Sequence, residues 1–237
     1  MVSVIFPAAG AGRRMKAGKN KVFLELSGMP ILLRTLQRFS AVPAVAELIV
    51  VVAEDEIASV EQLLAGVRGL KPWHVVRGGA ERQYSIANGM AHLAADADVV
   101  LVHDAARPLV SLAGIEAVIA AAREKGAAIA AVRAKNTIKV VGEDGRVETT
   151  PSRASLWEVQ TPQGFRREIL ARAYEKAAQD GFLGTDDASL VERIGEAVFV
   201  VESDYGNLKI TTPEDLWMAE ALLAHSEKIT AEMKVTI

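Results

Sequence analysis

Short apolar runs rich in Val and Ile alternate along the chain with longer stretches in which apolar positions recur every three or four residues. The runs fall at residues 2–6, 48–52, 74–76, 99–102, 127–132 and 197–201, and the helix-like stretches at 30–39, 55–67, 82–93, 114–125, 166–179 and 187–194. Unbroken β-branched runs suit strands buried on both faces, and helices between them provide the crossovers of parallel strands. The pattern predicts an α/β protein, a Rossmann-like three-layer sandwich around a mostly parallel sheet.

One stretch interrupts the alternation. Residues 137–141 and 146–150 are strand-like pieces around Gly142-Glu143-Asp144-Gly145, and Asp-Gly between such pieces signals a hairpin. A hairpin cannot join the parallel run, so an arm at about 135–155 is expected to project from it. Because a lone hairpin is only marginally stable in water, a dimer contact is its expected use. Residues 1–225 read as a single domain, and 226–237 as a tail without an assigned role.

Composition narrows the function. At 237 residues, half of them hydrophobic, the chain can bury one sizeable core. Its 27 basic and 30 acidic residues leave a net charge of −3 without long runs, which argues against a nucleic-acid binder. The absence of cysteine removes thiolate chemistry and disulfides. The N-terminus enters a strand directly, without the look of a secretory leader, and no apolar stretch reaches membrane-spanning length. A cytoplasmic protein is expected.

The first strand leads into Pro7-Ala8-Ala9-Gly10-Ala11-Gly12-Arg13-Arg14-Met15. Small residues at the carboxyl edge of a parallel sheet let backbone N–H groups approach a polyphosphate. The P-loop spacing is absent, and Met15 stands where a dinucleotide fingerprint wants a small residue. The turn carries positive charge instead, in Arg13, Arg14, Lys16, Lys19 and Lys21. In a chain acidic overall, such a cluster beside a glycine turn suits a triphosphate.

Three further segments share this character. They are Gly78-Gly79-Ala80-Glu81-Arg82-Gln83-Tyr84-Ser85, Val102-His103-Asp104-Ala105-Ala106-Arg107-Pro108, and the polar loop Trp157-Glu158-Val159-Gln160-Thr161-Pro162-Gln163-Gly164-Phe165. Together with the first turn, from about residue 2 to 222, they resemble the 2-C-methyl-D-erythritol 4-phosphate cytidylyltransferase family of the non-mevalonate route to isoprenoid precursors. The resemblance implies a nucleotidyltransferase fold of the glycosyltransferase-A-like type and a transfer of CMP from CTP to methylerythritol 4-phosphate. It implies Arg14, Lys21 and Lys209 as catalytic cations. Pro7, Ala8, Ala9, Gly10, Gly12, Gly79, Arg82, Ser85, Asp104 and Ala105 would hold the nucleotide, with Gly79 and Ser85 at the cytosine. Asp104, Arg107, Thr137, Arg153, Thr161 and Lys209 would hold the polyol phosphate, some of them donated by a homodimer partner's arm. Mg²⁺ would be the cofactor, carried mainly by phosphates and touching Asp104. Two positions depart from the family's pattern: Asn20 replaces a proline before Lys21, and Asn136 replaces an aspartate in the arm.

Such a reaction needs no strong general base, because the attacking phosphate is already an anion; it needs cations. Other groups carry plainer expectations. His103 reads as a strand-end histidine held by packing, His74 and His92 lack spaced ligand partners for zinc, Asp186-Asp187 reads as a helix N-cap, and Trp157 and Trp217 read as packing residues. Three alternatives stay open on the sequence: a ribitol 5-phosphate or other pentitol phosphate cytidylyltransferase, a non-catalytic nucleotide-binding relative, and an NAD-dependent dehydrogenase, which Met15 disfavours.

Overall fold

The apolar runs become strands whose successive side chains enter two different cores. A computed structural model of the chain describes residues 1–10 and 20–235, with side chains through residue 225. Its first half comprises β1 (Val2–Pro7), β2 (Glu25–Leu26), β3 (Met29–Pro30), α1 (Ile31–Ser40), β4 (Val45–Val52), α2 (Ile57–Ala65), β5 (Trp73–Arg77), α3 (Arg82–Met90) and β6 (Val99–Val102). Then follow α4 (Leu112–Lys125), β7 (Ala127–Arg133), β8 (Val140–Val141), β9 (Val147–Thr149), β10 (Trp157–Arg166), α5 (Arg167–Asp180), α6 (Asp187–Arg193), β11 (Phe199–Glu202) and α7 (Pro213–Val235). Seven strands form one sheet in the order β11-β7-β10-β6-β1-β4-β5.

On one face Val4, Phe6, Leu48, Val50 and Leu101 pack with Leu36 and Phe39 of α1, Leu64 of α2 and Ile115 and Val118 of α4. On the other, Ile5, Ile49, Val51, Val100 and Val102 pack with Ile86 of α3, Leu170 and Ala173 of α5 and Val191 of α6. Strands covered on both faces have no polar side, which is why their sequences read as continuous apolar runs. A small third cluster joins Leu26, Ile31 and Ile210 to Ala219 of α7.

β10 corrects the sequence reading. The stretch from Trp157 to Phe165, expected as a polar loop, is a ten-residue strand antiparallel to β6 and β7. β7 ends at the carboxyl edge and the arm returns there, so the next strand must run back in the opposite direction. Pro162, which argues against a strand, sits where the register with β7 shifts between Val159 and Gln163, and its peptide bond to Thr161 is cis. The polar Gln163 is buried but satisfied: its amide donates to Asp186 Oδ2 at 2.8 Å and accepts from Ala188 N.

β8 and β9 form the expected hairpin, a short antiparallel ladder that pairs with neither edge of the main sheet. Its Ile138, Val140, Val141 and Val147 are exposed. α7 runs continuously across residue 225 to Val235. Trp217, expected to pack, is 65% exposed, because the third cluster reaches one side of α7 through Leu216, Ala219 and Leu223 and Trp217 points away from it.

Candidate functional site

The loops leaving the carboxyl ends of β1, β5, β6 and β11 enclose a cavity of about 310 Å³. Parallel strands present their chain ends along one edge, which is where ligand crevices form in such sheets. Pro7, Ala8, Ala9 and Gly10 line it from the first loop, Gly79, Arg82 and Ser85 from the β5–α3 turn, Asp104 and Ala105 from the loop after β6, Lys21 from the segment before β2 and Lys209 from the loop after β11. Asn20, Val22, Ala80, Glu81, Ala106 and Thr211 complete the lining. Gly12 and Arg14 lie outside the described residues, as do Arg13, Lys16 and Lys19.

The first loop is fixed at both ends. Ala8 N donates to Val51 O at 2.7 Å, and the Asn20 side chain donates to Ala8 O at 2.7 Å and to Glu56 Oε2 at 3.2 Å. Asn20 has φ −60°, the value a proline ring would impose. Beyond it, Lys21 Nζ donates to Ile210 O at 2.7 Å, bringing Lys21 next to the Lys209 segment. At the β5–α3 turn, Gly79 N donates to Ser85 Oγ at 3.0 Å, and that hydroxyl donates to Glu81 O at 3.1 Å. A Cβ on Gly79 would stand 2.5 Å from Tyr84 Cβ, so the turn requires glycine.

Asp104 is the electrostatic centre of the cavity. Lys209 Nζ lies 2.9 Å from its carboxylate, Arg107 Nε 3.3 Å and Arg82 Nε 3.9 Å. Burial alone would raise the Asp104 pKa, but Lys209, Arg82 and Arg107 together hold it well below the usual carboxylate range. Arg107 also donates to Asn207 O at 2.7 Å. It stands behind Asp104, outside the cavity lining, and ties the β6 loop to the loop after β11.

Thr161 also stands behind Asp104. Its hydroxyl accepts from Asp104 N at 3.0 Å and lies 3.1 Å from His103 Nδ1. Arg107 O, 3.1 Å from Nε2, can only accept, so the neutral ring carries its proton on Nε2 and the Thr161 hydroxyl donates to Nδ1. His103 is fully buried, with Phe39 4.6 Å and Phe6 6.1 Å away between ring centroids. Thr137 and Arg153 are not in the cavity: both belong to the exposed arm region, where Arg153 Nη1 donates to Lys135 O at 2.6 Å.

Burial pushes the His103 pKa down to about 3, against smaller opposing effects of Arg107 O and Asp104. The unfolded chain, with an ordinary imidazole near pH 6.5, therefore binds a proton between about pH 6.5 and 3 that the fold refuses. Stability from this group is intact above pH 6.5 and falls as pH drops, by about 2 kcal/mol at pH 5. Urea unfolding of wild type and His103→Gln at pH 8 and pH 5 checks this. The variant is expected to lose about 2 kcal/mol less than wild type over that interval, and equal losses would show that His103 does not titrate on unfolding.

Asp187 was not expected at the site. Asp186 is the N-cap of α6, its carboxylate accepting from Ser189 N, which leaves the Asp187 carboxylate for Tyr174 OH at 2.6 Å and Arg82 Nη2 at 2.8 Å.

The comparisons with known proteins come to bear on this geometry. A family profile described as 2-C-methyl-D-erythritol 4-phosphate cytidylyltransferase matches residues 2–225. The chain is 51% identical over 218 residues to the protein of that name from Geobacillus kaustophilus, covering 92% of this chain and 94% of that one. It is 49% identical over 221 residues to that from Bacillus pumilus, covering 93% and 96%. Among solved structures, the 4-diphosphocytidyl-2C-methyl-D-erythritol synthase of Anaerococcus prevotii superposes with a TM-score of 0.84 at 33% identity, over 94% of this chain and 98% of that one.

Proposed function

The chain belongs to the 2-C-methyl-D-erythritol 4-phosphate cytidylyltransferase family, and from that premise we propose how the cavity at the carboxyl edge carries out the family's reaction. The protein is a nucleotidyltransferase: it transfers CMP from CTP to 2-C-methyl-D-erythritol 4-phosphate, giving 4-diphosphocytidyl-2-C-methyl-D-erythritol and pyrophosphate, a step of non-mevalonate isoprenoid precursor synthesis. We place it in the cytoplasm, where CTP is made; among the described residues no helix is long and apolar enough to cross a membrane.

The observation that carries the site reading is the convergence of Lys21, Arg82 and Lys209 on one cavity beside a small-residue turn. CTP would lie with its phosphates over Ala8, Ala9 and Gly10 and its base toward Gly79 and Ser85. A phosphate oxygen of the methylerythritol phosphate attacks the α-phosphorus in line; the new P–O bond forms as the bond to the β-phosphate oxygen breaks and pyrophosphate leaves. Two polyanions must meet, and charge moves onto the leaving group. Lys21, Lys209 and Arg14 would neutralise that charge, and ammonium groups already fixed by Ile210 O and Asp104 need little reorganisation as it develops.

Two carboxylates line the described part of the cavity, Asp104 and Glu81, and Asp104 is the one we assign to touch Mg²⁺. Among the described residues no group of three or more His, Asp or Glu side chains is placed to hold a metal by itself. These residues fit an ion that arrives on the triphosphate, keeps much of its water and touches the protein once. When bound, it would offset phosphate charge and orient the leaving group.

We assign Thr137 and Arg153 to the polyol phosphate through a homodimer, in which one protomer's arm reaches the other's cavity. The exposed apolar residues Ile138, Val140, Val141 and Val147 give that arm a reason to pack against a second copy. Arg107 and Thr161 would then act on the substrate through Asp104.

Pyrophosphate release from CTP and Mg²⁺ tests the reaction, with methylerythritol 4-phosphate and ribitol 5-phosphate offered in parallel. Release with the first and little with the second is expected. Release with ribitol 5-phosphate alone would move the enzyme to pentitol phosphates, and silence with both would overturn the assignment.

A further inference from the structure

The Arg82 guanidinium is shared by two carboxylates from different layers of the fold. Its Nη2 lies 2.8 Å from Asp187 Oδ2, while its Nε lies 3.9 Å from Asp104 Oδ1. The Asp187 side chain is 1% exposed and that of Arg82 33%, so the guanidinium has a buried flank on Asp187 and an open flank on the cavity. Asp187 is itself held by the Tyr174 hydroxyl of α5 at 2.6 Å. Burial and the adjacent Asp187 carboxylate push the Tyr174 pKa well above that of an ordinary phenol, so it remains a donor at neutral pH.

The neighbouring groups leave this carboxylate without a plainer duty. Capping of α6 falls to Asp186, which accepts from Ser189 N and from Gln163. The approach of α3 to the segment before α6 is secured separately: Gln83 donates to Phe182 O and accepts from Gly184 N. Without Asp187, Arg82 would be drawn toward Asp104, where Lys209 and Arg107 already bind. We infer that Asp187, held by Tyr174, is a positioning residue that keeps the Arg82 guanidinium off Asp104 and presents it to the phosphates of the bound nucleotide. The inference rests on the cavity being the CTP site.

The test is calorimetric binding of CTP with Mg²⁺ to the full-length protein, which needs no turnover. Asp187→Asn keeps the volume and removes the charge, and it should weaken binding about tenfold, the scale of one charge-assisted hydrogen bond. In an Arg82→Ala background the same substitution should add less than about twofold, because the group it positions is gone. A purely structural role would lower affinity by the same factor in both backgrounds. Wild-type affinity in Asp187→Asn, or the full tenfold loss on top of Arg82→Ala, would overturn the proposal. Should thermal melts show that Asp187→Asn does not fold, Tyr174→Phe decides instead: about threefold weaker binding is expected, and unchanged binding overturns it. Failure of the wild type to release pyrophosphate while binding CTP would count against the reaction assigned above and leave this result intact.

Discussion

Lys21→Ala is expected to lower the rate of CMP transfer about a thousandfold while the protein stays folded. A factor of that size corresponds to about 4 kcal/mol of lost transition-state stabilisation, the range seen when one fixed donor to developing charge is removed. The ammonium is positioned before substrate arrives, since Nζ donates to Ile210 O at 2.7 Å from the short 3-10 turn Lys21–Phe23. That turn is held independently by the Asn20 side chain on Ala8 O, so truncating Lys21 leaves its backbone supported. The loss should appear in kcat more than in the KM for CTP, because the need for positive charge is greatest as the leaving group forms. Lys21→Arg should recover only part of the rate, its planar fork being unable to reproduce a point charge on the same stem. Steady-state pyrophosphate release alongside a thermal melt checks this, and a folded Lys21→Ala enzyme with wild-type kcat would remove Lys21 from the catalytic set.

Much of this arrangement is legible in the sequence where a single physical demand acts on each residue. Two-sided burial produces the apolar runs of β1, β4 and β6, interrupted by Ser3 and Glu47, which hydrogen-bond to each other, and Asp144-Gly145 announces the arm. The small residues Ala8, Ala9 and Gly10 after β1 do line the cavity at the carboxyl edge, where the sequence reading put them. Legibility fails where two demands meet in one residue. In β10 the strand must bury Gln160, Thr161 and Gln163 and accommodate Pro162, so it carries the composition of a loop. Thr161 resembles a substrate contact by motif, yet its hydroxyl joins Asp104 N to His103 Nδ1.

Asp187 shows a different limit. An acidic pair before a helix satisfies the N-cap expectation with its first member, and nothing in local spacing reveals that the second faces Tyr174 and Arg82, the latter 105 positions earlier in the chain. α7 is absent from the sequence reading although its start carries a local signal: Thr212 and Asp215 form a capping box, with Thr212 N donating to Asp215 Oδ2 at 2.8 Å and Asp215 N to Thr212 Oγ1. What hid it is the narrow apolar stripe of Leu216, Ala219 and Leu223, with Trp217 and Met218 left in solvent.

Asp104→Asn should damage both stability and activity, unlike Lys21→Ala. The carboxylate has Lys209 at 2.9 Å and Arg107 at 3.3 Å, and both side chains of the Arg107 pair are only 11% exposed. Neutralising one member of a pair this far out of water leaves the other charge uncompensated, at a cost of about 3 kcal/mol or more. The stability that Asp104 contributes is present above the unfolded carboxylate's pKa, about 4, and is lost as pH falls below it, because its folded pKa is depressed. Urea unfolding at pH 7.5 should therefore separate wild type from Asp104→Asn by about 3 kcal/mol, and the gap should narrow as the pH is lowered below 4. Activity should fall at least a hundredfold, since Lys209 loses the anchor that fixes its ammonium, and the Mg²⁺ contact proposed above would be lost with the carboxylate. If the metal contact matters, raising Mg²⁺ should recover part of the rate in Asp104→Asn and none in Lys21→Ala. Equal stability of Asp104→Asn and wild type at pH 7.5 would show that the three cations hold their places without the carboxylate, and the electrostatic centre of the site would have to be sought elsewhere.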